Sequence, residues 1–330
     1  MTYNNVLIGA VVIGRNEGER LRACLETVKD QIQSVVYVDS GSTDGSVELA
    51  YDLDIEVVRL DTSIPFTAAR ARNQGFYQLM AQYPHIRYVQ FIDGDCELCS
   101  SWVETSLGYL KQTPDVAAVC GRRYELYPDQ SVYNKLCDME WNTPIGKTKA
   151  CGGDVMIRVS ALQDVNGYND ALIAGEEPEL CVRLREKNYN ILRIDADMTL
   201  HDANMMHFEQ WWKRSVRAGH AYAQVSCLHK ASKKGIWKTQ TRRALIWGLL
   251  LPMMILGAIA YNPVFSLALL IYPLQICRLA MAKGMMRKTS WLSATYLVIG
   301  KFAEAQGILK YYLRKMRREQ PMLIEYKQSS

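Results

Sequence analysis

A chain of 330 residues with 49% hydrophobic and 22% charged residues exceeds one typical domain and is too apolar to be disordered. Its net charge of +5 is small for that length, so no nucleic-acid partner is expected. Nine cysteines without disulfide-like spacing predict reduced thiols in a cytoplasmic compartment, and the polar residues 1–5 do not read as a signal peptide.

Residues 7–13 read as a first strand, followed by the polar turn Arg15-Asn16-Glu17-Gly18. In residues 19–29, Leu21, Cys24, Leu25 and Val28 fall on one face at helical spacing. The run Val35-Val36-Tyr37-Val38 is a strand ending in Asp39-Ser40-Gly41-Ser42-Thr43-Asp44-Gly45, a helix-start signal for residues 46–53. A strand at 55–60, a helix at 68–81 and a strand at 88–92 follow, the last running into Asp93-Gly94-Asp95. This alternation predicts a mostly parallel α/β sheet with helices on both faces, and ligands at the carboxyl ends of its strands. Two carboxylates one residue apart repel unless a cation or a hydrogen-bonded ligand offsets them. Asp-x-Asp at a strand end therefore reads as a site for a hard metal bridging phosphates.

The second half predicts a helix at 102–111, a strand at 116–121 and a helix at 131–139. Gly152-Gly153-Asp154 then turns into a strand ending at Ile157. A helix over 175–184 carries Glu176, Glu177, Pro178 and Glu179 in its first turn, and short strands at 189–194 and 198–201 close the domain. Cys96-Glu97-Leu98-Cys99 lacks a second Cys or His pair at zinc-ribbon spacing and reads as structural.

No charged residue occurs from Ala244 to Cys277. One membrane pass needs roughly 20 residues, so this stretch fits two short passes joined at Asn262-Pro263. Arg242 and Arg243 precede it, and Arg278, Lys283, Arg287 and Lys288 follow, which puts both ends in the cytoplasm. A buried helical hairpin of a soluble domain is the alternative. Residues 291–313, interrupted by Lys301, Glu304 and Lys310, read as an interfacial amphipathic helix. The expected division is 1–220 for the catalytic domain, 221–243 for a basic linker, 244–282 for the hairpin and 283–330 for that helix and a basic tail.

Over about residues 5–220 the motifs resemble the inverting glycosyltransferases of family 2, whose fold is called GT-A. The resemblance rests on Arg15-Asn16-Glu17, Asp39 to Gly45, Ala69-Arg70-Ala71-Arg72-Asn73 with Gly75, Asp93-Gly94-Asp95, Gly152-Gly153-Asp154 and Gly175-Glu176-Glu177-Pro178-Glu179 with Arg183, in that order. It implies a nucleotide-diphospho-sugar donor and a divalent metal, Mn2+ or Mg2+, held by Asp95 with a late histidine, His201. By the same resemblance Asp93 faces the ribose or the metal's waters, Asp39 the nucleobase or ribose, and Glu17 the ribose. Arg72 touches the nucleotide or diphosphate, and Asp154 belongs to the donor site. Glu177 is the implied base, with Glu176 the other candidate because the family often has Glu-Asp there.

The chemistry asks for the same groups: charge stabilisation for a leaving diphosphate, and a base for the acceptor hydroxyl. Gln210-Trp211-Trp212-Lys213-Arg214 departs from the Gln-x-x-Arg-Trp element of processive members, because its tryptophans precede the arginine. The expected protein is a membrane-anchored glycosyltransferase of the inner membrane, with its catalytic domain cytoplasmic. It would use a UDP-sugar and a lipid-linked or membrane-bound glycan acceptor in cell-envelope polysaccharide synthesis. A polyprenyl-phosphate glycosyltransferase and a nucleotide-sugar-binding membrane protein that has lost catalysis are the alternatives. Donor sugar and oligomeric state do not follow from the sequence.

Overall fold

The computed structural model describes residues 7–318, so residues 1–5 and the end of the expected basic tail lie outside the described residues. The described chain forms two compact units, divided between Met206 and His207 rather than at residue 220.

The first unit opens with β1 (Ile8–Gly14), α1 (Glu19–Lys29), β2 (Ser34–Asp39), α2 (Ser46–Asp52), β3 (Glu56–Arg59), α3 (Ala68–Gln82) and β4 (Tyr88–Asp93). Six consecutive positions of β1 are buried, as a strand covered on both faces requires. It pairs in parallel with β2 and β4, and β2 pairs in parallel with β3. The register sets Gly14 against Asp39 and Ile13 against Asp93, so two strand-end carboxylates flank β1 at one sheet edge. Thr67 caps α3 by accepting from the Arg70 N–H at 3.1 Å. Gly75 lets that helix lie directly on the sheet, since a Cβ there would stand 2.4 Å from Val11 Cγ1.

β5 (Cys96–Leu98), α4 (Trp102–Gln112), β6 (Val116–Glu125), α5 (Val132–Trp141), β7 (Gly146–Lys147), β8 (Val155–Arg158), α6 (Val159–Asp164), α7 (Glu176–Glu186) and β9 (Asn190–His201) complete the unit. The strand order is β3-β2-β1-β4-β8-β6-β9-β5, with β7 also on β9. β8 runs antiparallel to β4 and β6, whereas β6 and β9 are parallel. The outcome is the expected mixed α/β sheet, fully parallel through its β3-β2-β1-β4 half.

β5, β7 and α6 have no counterpart in the sequence reading, and β6 and β9 differ from it. β6 continues past residue 121 to Glu125, through Arg122 and Arg123. The two closing strands are one, β9, whose pairing with β6 shifts register between Cys120 and Arg122. Asp195 and Asp197 fall at that irregular stretch, a bulge rather than a chain break.

The second unit holds α8 (Phe208–Leu228), α9 (Lys238–Leu245), a π-helical turn over Ile246–Leu250, α10 (Leu251–Tyr261), a 3-10 segment Pro263–Leu270, α11 (Ile271–Lys283) and α12 (Lys288–Arg317). The expected basic linker thus contains the end of α8 and the start of α9. Lys238–Tyr261 and Pro263–Lys283 are long and apolar enough to cross a membrane, and little of either is buried. Helix α12 has a packed face of its own. Its small residues Ser293, Ala294, Gly300, Ala303 and Gly307 are buried, and helix α12 packs along α8. A Cβ at Gly307 would stand 1.9 Å from Val216 O, and one at Gly219 would stand 2.0 Å from Glu304 O. Such backbone-to-backbone crossing is possible only with small residues.

Gly307→Ala should therefore lower the thermal midpoint of the detergent-solubilised chain by several degrees. Gly108→Ala, in open space inside α4, should hold or slightly raise it, since alanine favours a helix interior. Equal midpoints for the two variants would show that the crossing is looser than this.

Candidate active site

The loops after β1 and β2 form one wall of the site. Asn16 is left-handed, with φ 55°. Its N–H donates to Ser42 Oγ at 2.9 Å, and its Oδ1 accepts from the Thr43 N–H at 2.8 Å. Asp39 is buried and accepts from the Gly41 N–H at 2.9 Å, the Ser42 N–H at 3.0 Å and the Tyr37 hydroxyl at 3.2 Å. Its carboxylate therefore shapes the turn that follows it. Glu17, on the facing loop, pairs with Arg20 at 2.8 Å.

Arg72 stands at the centre of the site, projecting from α3, and its side chain is 2% exposed. One guanidinium meets three carboxylates: Nη2 lies 2.7 Å from Asp93 Oδ1, and Nη1 lies 3.0 Å from both Glu176 Oε1 and Glu177 Oε1. Burial alone would lower its pKa, but Glu177, Asp93 and Glu176 hold it well above the ordinary arginine value. The Tyr168 ring supports the guanidinium, with its centroid 5.7 Å away. Gly153 permits the approach, because a Cβ there would stand 2.7 Å from Arg72 Nη2 and from Asp93 Oδ2.

Three carboxylates around one guanidinium crowd Glu177 with like charge. Burial and the neighbouring Glu176 charge push its pKa up to about 7, although Arg72 pulls the other way. Glu176 and Glu177 begin α7, where Gly175 adopts φ 79° and opens the helix. Asp93 is 30% exposed and keeps a face toward solvent.

Asp154 is wholly buried behind Asp93. Its Oδ1 accepts from the Asp93 N–H at 3.1 Å, and its Oδ2 accepts from the Thr199 hydroxyl at 2.7 Å. Arg123 Nη2 lies 2.7 Å from the same Oδ2 and 3.8 Å from Asp93 Oδ2. Asp154 therefore supports the turn that carries Asp93. Arg123 was not among the residues singled out from sequence. The available signal was Arg122-Arg123, two adjacent cations inside an otherwise apolar strand.

Asp95 and His201 meet because β5 and β9 are antiparallel with Cys96 level with His201. His201 Nε2 lies 3.3 Å from Asp95 Oδ2, and the Trp141 ring packs edge-on at 4.7 Å. Ligand atoms of Asp95, Cys96 and His201 lie within 4.8 Å of one another, all buried. Burial raises the Cys96 thiol well above its ordinary pKa and keeps it neutral. His201 Nδ1 is buried without a hydrogen-bond partner among the described residues, and Glu125 Oε2 lies 3.9 Å away. A carboxylate with an imidazole is a donor pair that fits a divalent cation such as Mn2+. All nine cysteines are free, including Cys99.

The carboxyl edge of a GT-A sheet thus sets Asp93 beside Arg72, Glu176 and Glu177, and Asp95 beside His201. Residues 10–158 match the family model described as glycosyl transferase family 2, and residues 136–209 match one described as N-terminal domain of galactosyltransferase. Residues 10–158 are thus similar to a family 2 glycosyltransferase domain, on a sheet of GT-A type.

A pre-mycofactocin glycosyltransferase of Mycobacterium tuberculosis is 24% identical over 236 residues, covering 67% of this chain and 48% of that protein. An O-antigen chain rhamnosyltransferase of Salmonella typhimurium is 23% identical over 214 residues, covering 59% of this chain and 66% of that one. The chain thus spans about half the length of the first of these curated relatives, at 48%. Among solved structures, a mannosyltransferase from Pyrobaculum calidifontis in complex with GDP-Man and Mn2+ superposes with a TM-score of 0.64 at 16% identity. That match covers 92% of this chain and 87% of the other, and it shows a shared fold.

Proposed function

We propose that the protein is a membrane-anchored, metal-dependent, inverting glycosyltransferase. It moves a sugar from a nucleotide-diphospho-sugar, with a UDP-sugar the first to test, to a lipid-linked or membrane-bound saccharide in cell-envelope polysaccharide synthesis. The observation that carries this reading is Glu177, a nearly buried carboxylate with its pKa raised to about 7, held against Arg72 at 3.0 Å. A base with a pKa near neutrality is poised to accept the proton of a sugar hydroxyl. A base opposite the leaving diphosphate inverts the anomeric centre in a single displacement, as in inverting glycosidases.

Arg72 orients Glu177 and Asp93 together. Asp154 and Arg123 hold the strand-end turn, and Asp39 shapes the loop facing Glu17, which together form the nucleotide side. Asp95 and His201 would hold the divalent cation, which when bound neutralises charge on the departing diphosphate.

The names of the two curated relatives, one acting on O-antigen chains, support a glycan or glycoconjugate acceptor. The two candidate spans and the basic residues at both ends of the hairpin support an inner-membrane anchor with the catalytic unit cytoplasmic. Tethering there raises the effective concentration of an acceptor confined to the same leaflet.

The test is a donor-hydrolysis panel on the purified chain with Mn2+, comparing UDP-, GDP- and dTDP-sugars. One donor should be hydrolysed well above the others, and no hydrolysis of any would sink the enzymatic reading. For topology, an epitope inserted at Asn262 should be reachable only from the far side of the membrane. Protection from both sides would make the hairpin re-entrant.

A further inference from the structure

The base of the hairpin has a composition that anchoring alone does not require. Residues 207–318 hold nineteen lysines and arginines against two acidic residues, whereas residues 7–206 hold nineteen against thirty. Both acids of residues 207–318 are paired within their own helices, Glu209 with Lys213 at 2.7 Å and Glu304 with Lys301 at 2.6 Å. No carboxylate side chain occurs in the sequence between them.

The cations gather where the apolar helices begin and end. Lys238, Arg242 and Arg243 are exposed on α9, Arg278 is exposed late in α11, and Arg287 and Lys288 are exposed at the turn into α12. Just before Arg287, Met285 and Met286 are 53% and 93% exposed, and Trp291 donates its indole N–H to Met285 O at 2.9 Å. The far tip of the hairpin, Tyr261-Asn262-Pro263-Val264, carries no charge.

An apolar hairpin whose base carries cations beside exposed methionines matches the boundary between acyl chains and phosphate headgroups. Methionine and indole enter the acyl edge while guanidinium and ammonium groups meet phosphates. A nucleic acid would satisfy the cations but leave the adjoining apolar helices in water.

We propose that the base of the hairpin is a binding surface for anionic phospholipid headgroups, with Met285 and Met286 as a second point of membrane entry. This rests on the membrane-anchor reading and gives the anchor a lipid preference.

The experiment reconstitutes the whole chain into vesicles of equal phosphatidylcholine and phosphatidylglycerol. The protein is then extracted in mild detergent, and the retained lipid is weighed by mass spectrometry. Phosphatidylglycerol should be enriched about five-fold or more over phosphatidylcholine at low salt, and less as salt screens the charges. Exchanging Lys238, Arg242, Arg243, Arg278, Arg287 and Lys288 for glutamine should remove the enrichment while the thermal midpoint in detergent stays unchanged. Equal retention of both lipids by the unaltered chain overturns the proposal, as does enrichment that survives the six exchanges. Copurifying nucleic acid that disappears with those exchanges, without any lipid preference, overturns it in favour of a nucleic-acid surface. A chain that stays monodisperse without detergent and does not enter vesicles defeats the anchor itself, a different result from an anchored chain lacking lipid preference.

Discussion

Glu177→Gln is expected to lower acceptor-dependent turnover by about 10²- to 10⁴-fold, the usual scale for losing a general base. Donor affinity should barely change, because the carboxylate is held by Arg72 and belongs to the acceptor side in the proposed reading. The pH profile supplies a second readout. The base must be ionised, so kcat/KM of the unaltered enzyme should fall below about pH 7, and the glutamine variant should lose that limb.

Stability should move with the same group. Its folded pKa lies above the usual carboxylate value, so the folded state binds this proton more tightly than the unfolded state. That contribution is present at acid pH and is lost as pH rises through about 7. Above that pH the variant should therefore melt higher than the unaltered enzyme. Glu176→Gln should cost less turnover, since its neighbour on a helix start projects about 100° away. If Glu176→Gln is the inactive variant, the two roles are exchanged. If both variants stay active, the acceptor is a phosphate and the polyprenyl-phosphate alternative gains.

Asp95→Ala is expected to abolish transfer and cation-dependent donor binding while leaving the fold intact. The side chain lies beside His201 and Cys96 at a strand-end turn, not in the apolar layers between sheet and helices. Calorimetric titration of Mn2+ with the preferred donor's nucleoside diphosphate should show a cation-dependent heat for the unaltered chain and none for the variant. His201→Ala should weaken the same heat, and Glu177→Gln should leave it. Undiminished transfer by Asp95→Ala in the presence of chelator would remove the metal from the mechanism.

Strand ends were legible because apolar runs stop abruptly at acids, as Tyr88 to Ile92 stop at Asp93. Arg72, Asp93, Glu176 and Glu177 were each singled out by motif resemblance, but the meeting of one guanidinium with all three carboxylates was not legible and appears only in the structure. The support provided by Arg123 and Asp154 was not legible, since it depends on which face of β6 turns toward β4. The two-part reading of β9 failed because charged residues at a bulge look like a loop in sequence. The packing of α12 on α8 was not legible, because glycine, alanine and serine do not score as a buried face, although close backbone crossing requires them.

The β5–β9 pairing also sets an order of events during synthesis. Asp95 is made early, but its partner His201 lies at the very end of the first unit. Contacts so distant in sequence form late, so a competent cation site marks a catalytic unit whose sheet has closed. The first apolar residue of the hairpin, Ala244, is translated only afterwards. Because domains fold as units from the amino end as they are made, in the proposed topology the catalytic unit can finish folding in the cytoplasm before the insertion machinery engages the hairpin. Slowing insertion should therefore leave active enzyme in the cytoplasm rather than misfolded chain.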